Sequence, residues 1–164
     1  MPENDPPLPY SDGGIYIILS NIRLAAQWHW GIFICVSRPW GQVYHATDSN
    51  DYWEFEEKLT DGIIGSRTIH AVVELAKVQD EDTIKAMHDA LKDVPVERNG
   101  DFVQKCGENF TCRVWVKEAL DTLRSKGLIS FDSVNDLEHE VIATGNATNR
   151  IGTRLLLVSK HCSA

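Results

Sequence analysis

Asn109-Phe110-Thr111-Cys112-Arg113-Val114-Trp115-Val116-Lys117-Glu118-Ala119-Leu120 is the stretch from which the fold reads outward. From Trp115 its apolar residues recur at Val116, Ala119, Leu120 and Leu123, the spacing of one buried helix face, and Gly127 ends the run behind Arg124 and Lys126. Asn109 or Thr111 can accept from the free N–H groups of a first turn, so Cys112 falls at the helix start or one or two residues inside it. The positive end of the helix dipole and the neighbouring Arg113 both favour the thiolate of a cysteine placed there. Whether that thiol has chemistry depends on a histidine reaching it.

Upstream, Ile15 to Leu19 is a short apolar strand and Trp28-His29-Trp30-Gly31-Ile32-Phe33-Ile34-Cys35-Val36 a second. Ser37-Arg38-Pro39-Trp40-Gly41 supplies a turn, and Gln42 to Asp48 returns as the partner of an antiparallel hairpin. His29 and His45 lie near its open end on neighbouring strands, close enough to meet across them. Asp51 to Leu59, with Tyr52, Trp53 and Phe55, reads as a further strand; Arg67 to Val78 reads as another, with a strand–helix ambiguity set by its length. Asp80 to Val94 is an amphipathic helix closed by Pro95, Glu97 to Asn109 a polar loop, Ser133 to Thr144 a helix, and Thr153 to Ser159 a last short apolar segment.

Met1 to Gly14 contains four prolines and two consecutive glycines and reads as a disordered leader, leaving 15–164 as one domain. At 43% apolar content that length buries a core without disulfide staples. The four cysteines show no framework spacing; with no secretory signal in view, a reducing cytoplasm is the expected location, and the triplets at Asn109 and Asn146 read as chance glycosylation matches. Cys35, inside an apolar run, reads as a core thiol. A formal charge of −8 and the lack of any basic patch argue against nucleic acid, and no apolar run approaches the roughly 18 residues of a membrane span. No compact ligand spacing supports a metal, and no cofactor is expected.

Cysteine acyl chemistry needs a thiolate, an imidazole to move its proton, and a polar group that orients the imidazole. With His29-Trp30-Gly31-Ile32-Phe33, then Val43-Tyr44-His45, then Thr111-Cys112-Arg113-Val114-Trp115-Val116, the chain resembles the lecithin retinol acyltransferase-like branch of the papain-like NlpC superfamily. That resemblance implies an α+β fold, an antiparallel sheet packed on helices in a circularly permuted papain-like arrangement. It also implies Cys112 as nucleophile, His29 as general base and His45 as the orienting residue. Thr111 stands where that family has an Asn before its cysteine, Arg113-Val114 replaces Glu-His, and the hydrophobic membrane tail is missing, so a lipid substrate is not implied.

The expected activity is a thiol hydrolase or acyltransferase acting on a small-molecule or peptide ester, thioester or amide. Asp48 is an alternative orienting group for His29, while Gln27 and Tyr44 are candidate oxyanion donors. Trp30, Trp53 and Trp115 are candidate walls of a substrate cleft. Two other classes stay open: a catalytically silent binding module using the same cleft, and a redox sensor pairing Cys106 with Cys112.

Overall fold

The computed structural model describes residues 11–21, 28–63, 66, 68–151 and 155–162. Its strands are β1 (Gly14–Asn21), β2 (Trp28–Ser37), β3 (Trp40–Thr47), β4 (Glu54–Thr60) and β5 (Ile69–Lys77). Then come α1 (Glu81–Lys92), the short strands β6 (Phe102–Val103) and β7 (Glu108–Asn109), α2 (Cys112–Ser125), α3 (Val134–Ile151) and β8 (Leu155–Val158). The fold is α+β: a six-stranded sheet in the order β4-β3-β2-β1-β5-β8, with three helices.

Three expectations need correction. The sheet is mixed, because β8 runs parallel to β5, with Ala71 opposite Leu155 and Glu74 opposite Val158. Parallel neighbours need a long crossover, and the stretch carrying all three helices provides it; a short apolar run holds no record of its direction. The polar loop from Glu97 to Asn109 contains a two-stranded ribbon, β6 with β7. The last helix continues past Thr144 to Ile151, with Gly145 in its path. A Cβ at Gly145 would stand 2.9 Å from both Leu19 Cδ1 and Trp28 Cε2, so the bare glycine lets α3 lie close against β1 and β2.

Strand alternation sorts the apolar residues onto two faces. Ile15, Ile17, Leu19, Trp30, Ile32, Ile34, Tyr44, Ala71 and Val73 join Met87, Leu91, Trp115, Leu120, Leu137 and Val141 of the helices in the main core. On the opposite face Tyr16, Ile18, Phe33, Cys35, Ile63, Ile69 and Val72 form a second, smaller cluster. Cys35 is thus a fully buried packing residue.

The helix ends follow from local chemistry. Asp80 caps α1, its carboxylate accepting from Asp82 N–H at 3.0 Å and from the Thr83 hydroxyl at 2.9 Å. At the end of α2, Gly127 takes a left-handed φ of +71°; its N–H donates to Arg124 O and that of Leu128 to Leu123 O, both at 2.9 Å. Those paired bonds satisfy carbonyls the helix would otherwise leave free.

Candidate functional site

Cys112 is placed by a cap and by a gap in the sheet. Thr111 is extended, with φ −147°, and its hydroxyl accepts from Val114 N–H at 3.3 Å, so Thr111 is the cap and Cys112 the first residue of α2. The β2–β3 ladder ends at Ile32 opposite Tyr44, which leaves Trp28 to Gly31 beyond it. Cys112 Sγ lies against this open edge, its thiol directed at Trp28 O at 4.0 Å.

The expected thiolate is not favoured in this resting arrangement. Burial, the largest influence, pushes the Cys112 thiol above its ordinary value; the N–H groups of Trp30 and Arg113 pull the other way, Asp48 adds to the rise and the Arg113 charge opposes it. Only 7% of Cys112 is exposed, so desolvation outweighs the helix end. Arg113 helps little because it is already engaged. Its guanidinium is held by Glu108 and Glu138, and Lys117 reaches the same two carboxylates at 3.2 and 3.3 Å. Arg113 in turn holds the Glu108 carboxyl down at about 2. Two cations and two carboxylates cancel, tying α2 to β7 and α3 just behind the cysteine.

The histidines meet as the hairpin requires. Because Ile32 pairs with Tyr44, His45 falls beside Gly31, and His29 Nε2 comes to 2.5 Å from His45 Nδ1. The far nitrogen of His45, Nε2, lies 2.9 Å from Glu56 Oε1, with Glu56 directly opposite His45 in the β3–β4 register. An ionised carboxylate only accepts, so His45 carries its proton on Nε2 and presents a lone pair at Nδ1. His29 must then donate from Nε2, which leaves Nδ1 as the unprotonated ring nitrogen of a side chain that lines the Cys112 cleft. In the sequence Glu56 is one of several carboxylates between Asp48 and Glu57, with no motif to single it out. The signal that finds it is its register: the strand pairing places it across from a histidine.

His29 is held neutral, its pKa lowered to about 4, first by burial and then by His45, with Asp48 and Glu56 acting in the opposite direction. A folded value below the unfolded 6.5 means that, between those two pH values, the unfolded chain takes up a proton the folded chain refuses. Stability therefore falls on acidification through this window, and His29 contributes nothing to that slope well above it. From pH 7 to pH 4 the loss attributable to His29 is expected to be about 2–3 kcal/mol. In urea titrations His29→Gln should fall by that much less than wild type over the same interval; parallel losses would remove His29 as the source.

The cleft at Cys112 has a volume of about 760 Å³ and is lined by Trp28, His29, Trp30, Asp48, Trp53, Thr111, Cys112, Arg113, Ile142 and Asn146. It thus brings together Cys112, His29, Asp48, Trp30 and Trp53. No hydrogen bond joins His29 to Sγ: alternation turns the His29 ring toward His45, and it also borders a hollow of about 350 Å³ shared with His45 and Glu56. Asp48 acts on His29 through its charge, while His29 Nε2 donates its hydrogen bond to His45 Nδ1.

Two candidates belong elsewhere. Tyr44 faces the helices, its hydroxyl 3.0 Å from His88 Nδ1, because it stands one residue before His45 and so on the other face of β3. Trp115 is fully buried on the inner side of α2, its ring tilted against Phe55 with 5.8 Å between ring centres, and lines no part of the cleft. Gln27 lies outside the described residues. Among the described residues no group of three or more His, Cys, Asp or Glu is arranged to hold a metal ion, and no helix is long and apolar enough to cross a membrane.

Comparison with known proteins identifies one family, a family of unknown function (DUF6540), across residues 15–130. The chain belongs to this family. The DUF6540 match runs from β1 to just beyond α2, so it includes His29, His45, Glu56 and Cys112, while Ile142 and Asn146 of the cleft come from the chain after it. No curated protein and no solved structure matches the chain significantly.

Proposed function

We propose that this DUF6540 chain is a cysteine-dependent acyl hydrolase or acyltransferase, with Cys112 as nucleophile and His29 Nδ1 as general base. The observation that carries this is the Glu56–His45–His29 hydrogen-bond chain, which leaves a basic nitrogen on a residue lining the same cleft as a helix-start thiol. Its order of histidine, histidine, cysteine is also that of the permuted papain-like branch it resembles in sequence.

At neutral pH the resting pair is thiol plus neutral imidazole. On substrate binding His29 Nδ1 takes the Cys112 proton as Sγ attacks the carbonyl carbon, and the Cys112 backbone N–H, free of intrahelical bonds in the first turn, donates to the developing oxyanion. The C–O, C–S or C–N bond to the leaving group breaks, His29 returns the proton to that group, and an acyl-thioester remains on Cys112. Water, or an amine or alcohol acceptor, then loses a proton to His29 and attacks the thioester, restoring the thiol. Apo catalytic contacts are often longer than those in substrate complexes, so the His29–Sγ bond is one that binding completes.

The test is to mix the protein with p-nitrophenyl acetate at neutral pH, quench in acid and map the acetyl group by peptide mass spectrometry. Acetyl on Cys112 that forms and decays at the turnover rate supports the reading. Acetylation spread over surface lysines, with Cys112 unmodified, overturns it.

Glu56 supplies a sharper diagnostic. Glu56→Gln keeps an acceptor for His45 but removes the charge that supports the imidazolium formed during turnover, so kcat should fall roughly tenfold to a hundredfold. Because Glu56 raises the His29 pKa, its loss should also move the acid limb of the pH profile below about 4. A purely structural role would lower the active fraction without moving that limb.

Burial of both Cys112 and His29 in uncharged form also favours a second reading, a silent cleft that binds a ligand without turnover. Stoichiometric ligand binding with no acyl-enzyme would select it.

A further inference from the structure

The charges bordering the Cys112 cleft point to its substrate class. Among the described residues that line it, the groups charged at neutral pH are Asp48 and Arg113. Arg113 is committed to Glu108 and Glu138 and has no free charge to offer an anion. Asp48 is exposed, and among the described residues its carboxylate has no ion-pair or hydrogen-bond partner. It lines the same cleft as His29 and Cys112 and acts by charge on both. The net local field is negative, in a chain whose formal charge is −8.

The aromatic wall matches that field. Trp53 stands at the cleft beside Asp48, held edge-on against Phe110 with ring centres 5.7 Å apart. An adjoining hollow of about 380 Å³ shares Asp48 and Trp53 and adds Asp51, Tyr52 and Arg98. There the Arg98 guanidinium already lies 3.8 Å from the Tyr52 ring centre, so the protein itself seats a cation on an aromatic face at this end of the cleft. A carboxylate next to a tryptophan face is the chemistry that takes an alkylammonium group, whereas a phosphate or carboxylate there would meet both Asp48 and Asp51, against which the lining sets one cation, Arg98, already seated on Tyr52.

We propose that the acyl substrate of the Cys112 cleft carries an alkylammonium group, held between the Asp48 carboxylate and Trp53. This rests on the acyl-transfer reading for its chemistry, but its recognition step can be read separately. Asp48 is then a specificity residue, and esters or amides of anionic acyl groups are poor substrates.

Three p-nitrophenyl esters test it, with pentanoyl chains ending in trimethylammonium, tert-butyl or carboxylate. In wild type, kcat/KM for the trimethylammonium ester should exceed that for its neutral tert-butyl isostere by about tenfold, with the carboxylate ester slowest. Asp48→Asn should bring the cation-to-neutral ratio to about one. Cys112-dependent turnover with a wild-type ratio near one, or with the carboxylate ester preferred, overturns the substrate class while leaving the thiol mechanism standing. If no ester is turned over, the mechanism is what fails, and binding of the three corresponding primary amides to Cys112→Ala, followed by tryptophan fluorescence, decides recognition. Tighter binding of the cationic amide, lost on adding Asp48→Asn, sustains it; equal binding of the cationic and neutral amides ends it.

Discussion

Cys112→Ala is expected to lower acyl-ester turnover by at least about 10³-fold, equivalent to roughly 4 kcal/mol in the barrier, because the nucleophile that divides the reaction into two steps is gone. The fold should survive. Cys112 is a small residue at the first position of α2, capped by Thr111, and an alanine there keeps both the helix start and the cap bond to Val114 N–H. A melting temperature near that of wild type, with turnover abolished, separates chemistry from folding. Retained turnover in Cys112→Ala would dispose of the proposed mechanism, however strongly the thiol reacts with other reagents.

The pH dependence of wild type carries further information about the same step. A neutral thiol and a neutral imidazole constitute the active form, so kcat/KM should lose activity on the acid side near the His29 value of about 4, where Nδ1 can no longer accept a proton. On the alkaline side activity should fall only above the ordinary thiol range, since burial raises the Cys112 pKa and ionisation removes the proton needed by the leaving group. The result is a plateau spanning neutral pH. An acid limb at the ordinary imidazole value would mean that His29 is not the general base in its buried, neutral setting in the free enzyme.

Trp115→Ala is the substitution expected to damage the fold most. The ring is fully buried between α2 and the sheet, against Phe55, and truncating such a residue costs about 3–5 kcal/mol through lost transfer energy and the cavity left behind. That is a large share of the roughly 5–15 kcal/mol by which domains are stable. One detail makes the prediction sharper: Trp115 Nε1 is buried with no hydrogen-bond partner among the described residues. Trp115→Phe removes that unsatisfied donor while keeping an aromatic ring, so it should cost at least about 2 kcal/mol less than Trp115→Ala. Urea midpoints for the two variants check this. Equal losses would mean that the indole N–H, or the full indole volume, matters more than ring burial.

Much of the architecture was legible because its causes are local. The α2 helix follows from one apolar face, a capping threonine and a glycine at the first left-handed position; α1 follows from Asp80 and the approach of Pro95. The β2–β3 hairpin follows from alternating segments around Arg38-Pro39, and with it the meeting of His29 and His45 across neighbouring strands. Such features depend on residues within a few positions of one another, where backbone stereochemistry and side-chain spacing leave few alternatives.

What only the tertiary structure decided involves groups distant in sequence. The direction of β8 depends on the path of the helices before it, and the inner positions of Tyr44 and Trp115 depend on which face of each element meets the core. Glu56 becomes the partner of His45 only when β4 pairs with β3, and the tautomer of His29 follows from that pairing. The charge state of Cys112 shows the difference most directly. A helix start and a neighbouring arginine favour thiolate in the sequence, yet in the folded chain Arg113 is taken up by Glu108 and Glu138 and the thiol lies out of water against β2. Desolvation and charge pairing are sums over everything that surrounds a group, and those surroundings exist only once the chain has folded.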